Sequence, residues 1–334
     1  MKSIAIIGSG LSGLTVAHAL KDKAAVTLFE KSRGYGGRMA TRRADPFTFD
    51  HGAQFFSAKS DIFKSFLGPL IDTGIVKIWH ARFAEIGPGE VSSIRIWNEN
   101  SPHYVGTPQM NSIGKYLSKG LNIKLGTRVA AIQKKDQWQL TDEKNENLGS
   151  FNWIISTVPA RQALDILPST VSFYPDIAKI KMQACFSLML GFEQPLPLVF
   201  DVAHVSGADI SWVSDNSSKP DRPDHYCLMI HSTNAWADKH LMSDRKDVLH
   251  HLFEQTSDVL GHDVSSAVHK DLHGWHFANI ERQFGPTYFL DPDAQIAACG
   301  DWCIQGRIES AFLSGHELAS RLLELISVSG SKHA

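Results

Sequence analysis

The chain has 334 residues and a formal net charge of −2. That length accommodates two domains, and the near-neutral balance argues against nucleic acid or another polyanion as partner. Four cysteines, Cys185, Cys227, Cys299 and Cys303, form no CxxC pair, so neither zinc nor a disulfide framework is indicated.

Ile4-Ala5-Ile6-Ile7 is an apolar run of strand character, followed at once by Gly8-Ser9-Gly10-Leu11-Ser12-Gly13 and a helical stretch to Ala19. Val26-Thr27-Leu28-Phe29 is a second strand, and it ends on Glu30. Strand, glycine turn, helix, strand and acid at this spacing form a dinucleotide fingerprint. Gly8 allows the tight turn, Gly10 lets backbone approach a pyrophosphate, and Gly13 lets the helix pack on the strand. The helix N-terminus offers free N–H groups to phosphate, and Glu30 can accept from a ribose. The glycines interrupt the apolar N-terminal stretch, so it reads as a Rossmann strand and helix rather than a leader.

A second glycine cluster follows in Gly34-Tyr35-Gly36-Gly37-Arg38, with Arg42 and Arg43 beyond it. NAD does not require glycines there; they suit close passage of a large flat cofactor, and the arginines suit phosphate. The alternative is a flexible surface loop. Asp50-His51-Gly52-Ala53-Gln54-Phe55-Phe56 is compact and aromatic, which a mere loop does not predict. Val76 to Ala84 and Val91 to Trp97 alternate as strands around Gly87-Pro88-Gly89. Leu121 to Arg128, Val129 to Ile132 and Trp138 to Leu140 read as short strands. Trp153 to Thr157 is a buried strand stopped by Pro159. Cys185 to Phe192, Ile210 to Val213 and Tyr226 to His231 suit a second sheet, and Asp244 to Leu260 a helix with Ser243 as N-cap. Ile296 to Asp301 reads as a strand ending in Gly300-Asp301, and Ile308 leads into a C-terminal helix from Ser310 to about Ile326, with Ser327-Val328-Ser329-Gly330-Ser331 fraying beyond it. No second GxGxxG occurs. No apolar run is long enough to span a membrane, and no HxH, HExxH or GxSxG motif points to a metal or a hydrolase. A cytoplasmic location is expected.

These segments resemble the two-domain FAD oxidoreductases that include the flavin amine oxidases, and most closely the renalase type. The resemblance is carried by the fingerprint with Glu30, by Gly36 to Arg42, by Asp50 to Phe56, by Thr157-Val158-Pro159-Ala160 and by Gly300-Asp301-Trp302-Cys303. It implies an α/β fold: a Rossmann-type FAD-binding domain with a second, mixed-sheet α+β substrate domain, in an amine oxidase or p-hydroxybenzoate hydroxylase-like architecture. The expected FAD domain comprises 1–70, 106–165 and 290–334, and the substrate domain 71–105 and 166–289. The resemblance implies non-covalent FAD, contacted by Gly8, Gly10, Leu11, Ser12, Gly13, Glu30, Lys31, Gly37, Arg38, Gln54, Phe55, Val129, Gly300, Asp301 and Ile308.

Flavin oxidation needs few catalytic side chains, so aromatic walls and a few polar groups are expected. Trp302 follows Gly300-Asp301 and is expected near the flavin. His231 ends an apolar strand and is either a pocket residue or a structural one. Trp212, Trp275 and His276 are further pocket candidates, whereas Trp236 and His240, one helical turn apart, suit packing. Arg42 suits a substrate carboxamide or phosphate, or the FAD pyrophosphate, with the pyrophosphate preferred. Amine oxidases of this type carry a lysine on a substrate-domain strand, and Ser187 aligns with that place here. His273 to Ala278 departs from relatives by carrying glycine and histidine where arginine is usual, and Gln305 stands where glycine is common. The resemblance therefore implies oxidation of 2- or 6-dihydro-NAD(P) isomers by dioxygen, giving NAD(P)+ and hydrogen peroxide, with any nicotinamide entering the substrate pocket itself. The alternatives are oxidation of a small amine and a non-enzymatic, flavin-loaded redox sensor. A monomer is favoured.

Overall fold

The computed structural model describes residues 1–87 and 90–330. Pro88 and Gly89 of the expected turn, and Ser331 of the serine-rich end, lie outside the described residues. The chain divides into two compact units, Met1–Arg38 with Gly114–Met182 and Ile280–Ala334, and Met39–Ile113 with Gln183–Asn279.

This division departs from the expected domain limits: 39–70 and 106–113 belong to the second unit, and 166–182 and 280–289 to the first. Packing gives the reason. Phe47 and Phe49 bury against Met189, Cys227 and Met229 of the second unit's sheet, whereas Phe173, Ile177 and Ile280 lie in the first unit's core.

The first unit is built on a six-stranded sheet in the order Phe289–Asp291, Ile296–Ala298, Trp153–Ser156, Ser3–Ile7, Ala25–Phe29, Ile123–Lys124. Its pairings are parallel except at the Phe289–Asp291 edge. Ser3–Ile7 is central and almost wholly buried, which its unbroken apolar run requires. Gly8 turns the chain out of this strand at φ +106°, a conformation that favours glycine. A Cβ at Gly13 would stand 2.2 Å from the Gly8 carbonyl oxygen, so the helix Leu11–Leu20 packs this closely only with glycine there. The C-terminal helix Ile308–Gly330 opens two residues before Ser310 and continues past Ile326, replacing the expected frayed end up to Gly330. Ser12 ties the two helices together by donating to the Ala311 carbonyl at 2.7 Å. A three-stranded antiparallel sheet, Val129–Lys134, Trp138–Asp142 and Asn147–Phe151, completes the unit.

The second unit holds a seven-stranded mixed sheet in the order His269–Asn279, Gln183–Phe192, Tyr226–Ser232, Ile210–Asp215, Val202–Val205, Arg82–Gly87, Glu90–Ile96. Strand alternation sends Phe186, Leu188, Leu228 and Ile230 to one face, where they pack with Val248 and Leu252 of the helix Arg245–Leu260. That helix is capped by Asp244 rather than Ser243; the Asp244 carboxylate accepts from the Lys246 amide at 2.7 Å. The shorter helix Asn234–His240 lies in the same layer, where Trp236 stacks on His240 and His251. The opposite face receives the hairpin of Arg42–Ala44 and Phe47–Phe49 and then residues 50–56. Among the described residues, no helix is long and apolar enough to cross a membrane.

Candidate functional site

The nucleotide fingerprint of the first unit is assembled as a cradle. Gly10 caps the helix Leu11–Leu20 without any side-chain bond, and a Cβ there would meet nothing within 4 Å. The helix therefore begins with unclaimed N–H groups beside open space, the arrangement that receives a phosphate. The second glycine cluster lies alongside: Gly36 bridges Gly10, and its amide donates to the Ser9 carbonyl at 3.0 Å. Glu30, at the end of Ala25–Phe29, is buried and accepts from the Ser9 amide at 2.9 Å, the Ser9 hydroxyl at 3.0 Å and the Ser32 amide at 2.8 Å. Its carboxylate holds the glycine loop while keeping acceptor capacity for a ribose. Thr127, two residues before Val129, donates its amide to the Glu30 carbonyl at 2.9 Å. Open glycine backbone, a bare helix start and a buried acid fit a dinucleotide.

Asp301 and Arg38 of this unit pair with each other: Arg38 Nη1 donates to Asp301 Oδ2 at 2.8 Å and Nη2 to Oδ1. Lys31 donates to Gln162 Oε1 at 3.1 Å, and Ile308 opens the C-terminal helix. Trp302 is a correction. The 3-10 turn Asp301–Cys303 folds its ring beneath Gly300, where a Cβ would lie 2.3 Å from Trp302 Nε1. Trp302 is 1% exposed, stacks on Phe289 and donates to the Val158 carbonyl at 3.0 Å. It packs in the first unit's core rather than presenting its ring at the surface. Burial also pushes the Cys299 and Cys303 thiols up, leaving both protonated and unreactive.

The second unit brings together four residues far apart in sequence. Register pairs Ser187 with both His273 and His231, and His231 with Trp212. These side chains form one row across the sheet. The segment 51–55 runs along that row. His51 stacks on Trp275 at 5.2 Å and meets the His273 ring edge-on at 4.9 Å. Its carbonyl accepts from Ser187 Oγ and from Trp275 Nε1, each at 2.8 Å. Gln54 reaches His231, with Nε2 to Nε2 at 3.4 Å. Phe55 stacks on Trp212 at 5.5 Å and meets Trp97 at a tilt, with ring centroids 4.8 Å apart. Arg42 reaches the row's end, 3.3 Å from Asp271 and 3.4 Å from His273 Nδ1. His276 lies at an irregularity in the pairing opposite Gln183 and Cys185 and is exposed, yet is close enough to act on His273.

Beneath this segment lies a buried ion cluster. Asp50 is wholly buried, and its carboxylate accepts from Arg222 at 2.6 Å, Lys219 at 3.4 Å, Thr41 at 2.7 Å and the Met110 amide at 3.0 Å. Lys219 also donates to Asn216 Oδ1 at 2.9 Å and Gln54 Oε1 at 3.2 Å. The Gln54 amide is thus engaged inside this unit rather than free for a cofactor. Sequence reasoning missed Lys219 and Arg222, whose polar loop carries no periodic signal.

Lys219 and Arg222 oppose Asp50, Asp215 also acts on Lys219, and at His231 it is the positive charge of Lys219 that is felt. Burial first, and the opposing cations overall, act on Asp50; the cations prevail and hold its carboxyl below the usual range. Burial pushes Lys219 down to about 8. Burial, then Lys219 and His51, push His231 down to about 3. Burial, then His273 and Arg42, push His51 to about 4, and burial with Arg42 and Arg245 takes His273 to about 4. The row therefore presents neutral imidazoles in a positive field. Asp271 is shared between Arg42 at 3.3 Å and Arg245 at 2.7 Å. Among the described residues no group of histidine, cysteine, aspartate or glutamate gathers to hold a metal.

Comparison with known proteins agrees with this architecture. Residues 6–69 match the NAD(P)-binding Rossmann-like domain, and residues 92–323 match the flavin containing amine oxidoreductase family. The chain belongs to the flavin containing amine oxidoreductases, a family of flavin-dependent oxidoreductase enzymes. A solved structure of a protein assigned as protoporphyrinogen oxidase, from Exiguobacterium sp. 255-15, superposes with a TM-score of 0.77 at 13% identity, covering 96% of this chain and 98% of that one. Reduced UDP-galactopyranose mutase gives 0.75 at 13% identity over 97% and 94%. Putrescine oxidase bound to putrescine gives 0.68 at 12% identity over 97% and 99%. At these identities the likeness is one of fold. A 4,4'-diapophytoene desaturase of Staphylococcus haemolyticus is 48% identical over 50 residues, which are 15% of this chain and 10% of that protein. The chain thus matches about a tenth of that relative's length.

Two outcomes follow from the second unit's electrostatics. Asp50→Asn leaves Lys219 and Arg222 buried without a counter-charge and is expected to destabilise by about 3–5 kcal/mol, read as a lower denaturant midpoint; an unchanged midpoint contradicts the pairing. His51, His231 and His273 take up protons in the unfolded chain at about 6.5 but in the folded unit only at about 4, 3 and 4. The unfolded state binds more protons between those values, so stability falls as pH drops from about 6.5 towards 4. Thermal melts at pH 7 and pH 5 test this, and equal melting temperatures would count against the neutral row.

Proposed function

We propose that the protein is an oxidase of dihydronicotinamide nucleotides reduced at the 2 or 6 position of the ring, using non-covalently bound FAD. The observation that carries this reading is the neutral histidine row in its positive field. A substrate amine arrives largely as an ammonium ion, which a carboxylate would attract. The acids near this row are Asp50, sealed under two cations, and Asp271, claimed by two arginines. A planar heterocycle with a neutral carboxamide and an anionic phosphate tail suits neutral imidazoles, indole faces and a guanidinium.

The roles divide between the units. In the first, Gly8 to Gly13 and the bare helix start receive the pyrophosphate, while Glu30 and the backbone near Val129 receive the adenosine end. Bound FAD supplies the hydride acceptor and the route for electrons to dioxygen. In the second, Trp275 and Trp212 offer flat apolar contact and His231 a polar one. Arg42, half-exposed and held by Asp271, binds carboxamide or phosphate of the substrate. Ser187, standing where amine oxidases carry a lysine, has its hydroxyl committed to the His51 carbonyl, which supports an activity other than amine oxidation. The net reaction takes a hydride from the dihydro ring, giving NAD(P)+, and passes two electrons with protons to dioxygen, giving hydrogen peroxide.

Peroxide production is the test. The 2- and 6-dihydro isomers of NADH and NADPH are expected to give peroxide, and a panel of primary, secondary and polyamines none; peroxide from an amine alone sinks the proposal. Arg42→Met is expected to raise KM for the isomers about tenfold or more with kcat little changed, as loss of a charged hydrogen bond worth about 1.5–3 kcal/mol in binding requires.

A further inference from the structure

Gln54 stands between the buried ion cluster and the histidine row, and its amide has only one workable orientation. Oε1 faces two donors, Lys219 Nζ at 3.2 Å and Ser214 Oγ at 2.9 Å. Nε2 faces two carbonyls, those of Asp50 and of Gly52, the latter at 3.0 Å. An ammonium can only donate and a carbonyl can only accept, so a flipped amide would lose these bonds and set like against like. Lys219 cannot swing aside to permit the flip, because Asp50 and Asn216 hold its other hydrogens. The two hydrogens of Gln54 Nε2 thus face the two carbonyls, and the amide nitrogen itself, which cannot accept a hydrogen bond, lies 3.4 Å from His231 Nε2.

A proton on His231 Nε2 would point at an amide NH2 group that cannot accept it. The groups facing the ring add to this. Lys219 brings positive charge, His51 is itself neutral, and Ser187 and Trp212 flank His231 in the row without a carboxylate. The proton of the neutral ring must then sit on Nδ1, which makes no bond to the described residues.

We infer that Gln54 is a positioning residue which, locked by Lys219 and Ser214, fixes His231 as its Nδ1–H tautomer. His231 thereby offers a fixed hydrogen-bond donor, not a base, to a ligand at the row. Resting on the dihydronicotinamide reading, that donor meets the substrate's carboxamide oxygen. The tautomer itself follows from the protein alone and survives if another substrate is found.

Nitrogen-15 NMR of histidine-labelled, flavin-loaded protein without substrate tests it, with His231 assigned by the signal missing from His231→Asn. Wild type is expected to show His231 neutral at pH 7 with Nδ1 protonated. An Nε2–H tautomer or an imidazolium there overturns the inference without any variant. Gln54→Glu replaces the donor with an acceptor and is expected to move the proton to Nε2 or charge the ring. Gln54→Glu that folds and leaves His231 as Nδ1–H would also overturn it. Peroxide assays on the same samples separate this result from the substrate assignment, since a failed assay with an Nδ1–H signal removes only the latter.

Discussion

One buried carboxylate organises the second unit. Asp50 gathers Thr41, the Met110 amide, Lys219 and Arg222, from three separated stretches of chain, around a point with no exposed surface. A buried ion group of this kind is weak as a source of net stability, since desolvation offsets much of the attraction. Its consequence here is geometric and electrostatic. It pins the residues that follow, so that His51, Gln54 and Phe55 cross the sheet along one row of side chains. Burial first, and then neighbouring positive charge such as that of Lys219 on His231, keeps the row's histidines neutral. Asp50 acts together with the buried Phe47 and Phe49 and with the Ser187 and Trp275 bonds to the His51 carbonyl in holding the segment there.

Glu30 does comparable work in the first unit. A carboxylate at a strand end would ordinarily point to solvent or ligand. Here three of its bonds go to Ser9, inside the glycine turn, and to Ser32, just beyond Glu30 itself. The turn is thus set before any nucleotide arrives, which lowers the ordering cost of binding. Gly13 contributes by letting helix and strand approach at backbone distance.

The first unit was legible because its signals are local. Strand run, glycine spacing and terminal acid fall within thirty residues, and each has a steric cause that reads directly from residue type. The two-domain α/β class was implied by the family resemblance rather than by these local patterns. The second unit's row was not legible, because Ser187, Trp212, His231 and His273 meet through sheet order and register. His231 and Trp212 were found as individuals, but nothing in the chain marks them as neighbours. Lys219 lies in a serine- and proline-containing loop whose composition reads as solvent-exposed, yet the side chain is fully buried. Trp302 was misplaced for the opposite reason: its adjacency to Gly300-Asp301 suggested a ligand contact, whereas a tight turn sends the ring inward. Ser243 and Asp244 are both good caps, and only the geometry chooses between them.

The central claim is that hydride leaves a dihydronicotinamide ring rather than an amine. Anaerobic rapid mixing of the flavin-loaded protein with each substrate class tests it most directly, because dioxygen is absent and only the first half of the reaction is seen. The account predicts prompt loss of flavin absorbance with 2- or 6-dihydro-NAD(P), and none with amines. Bleaching by an amine, or an oxidised flavin that persists with both isomers, would contradict it.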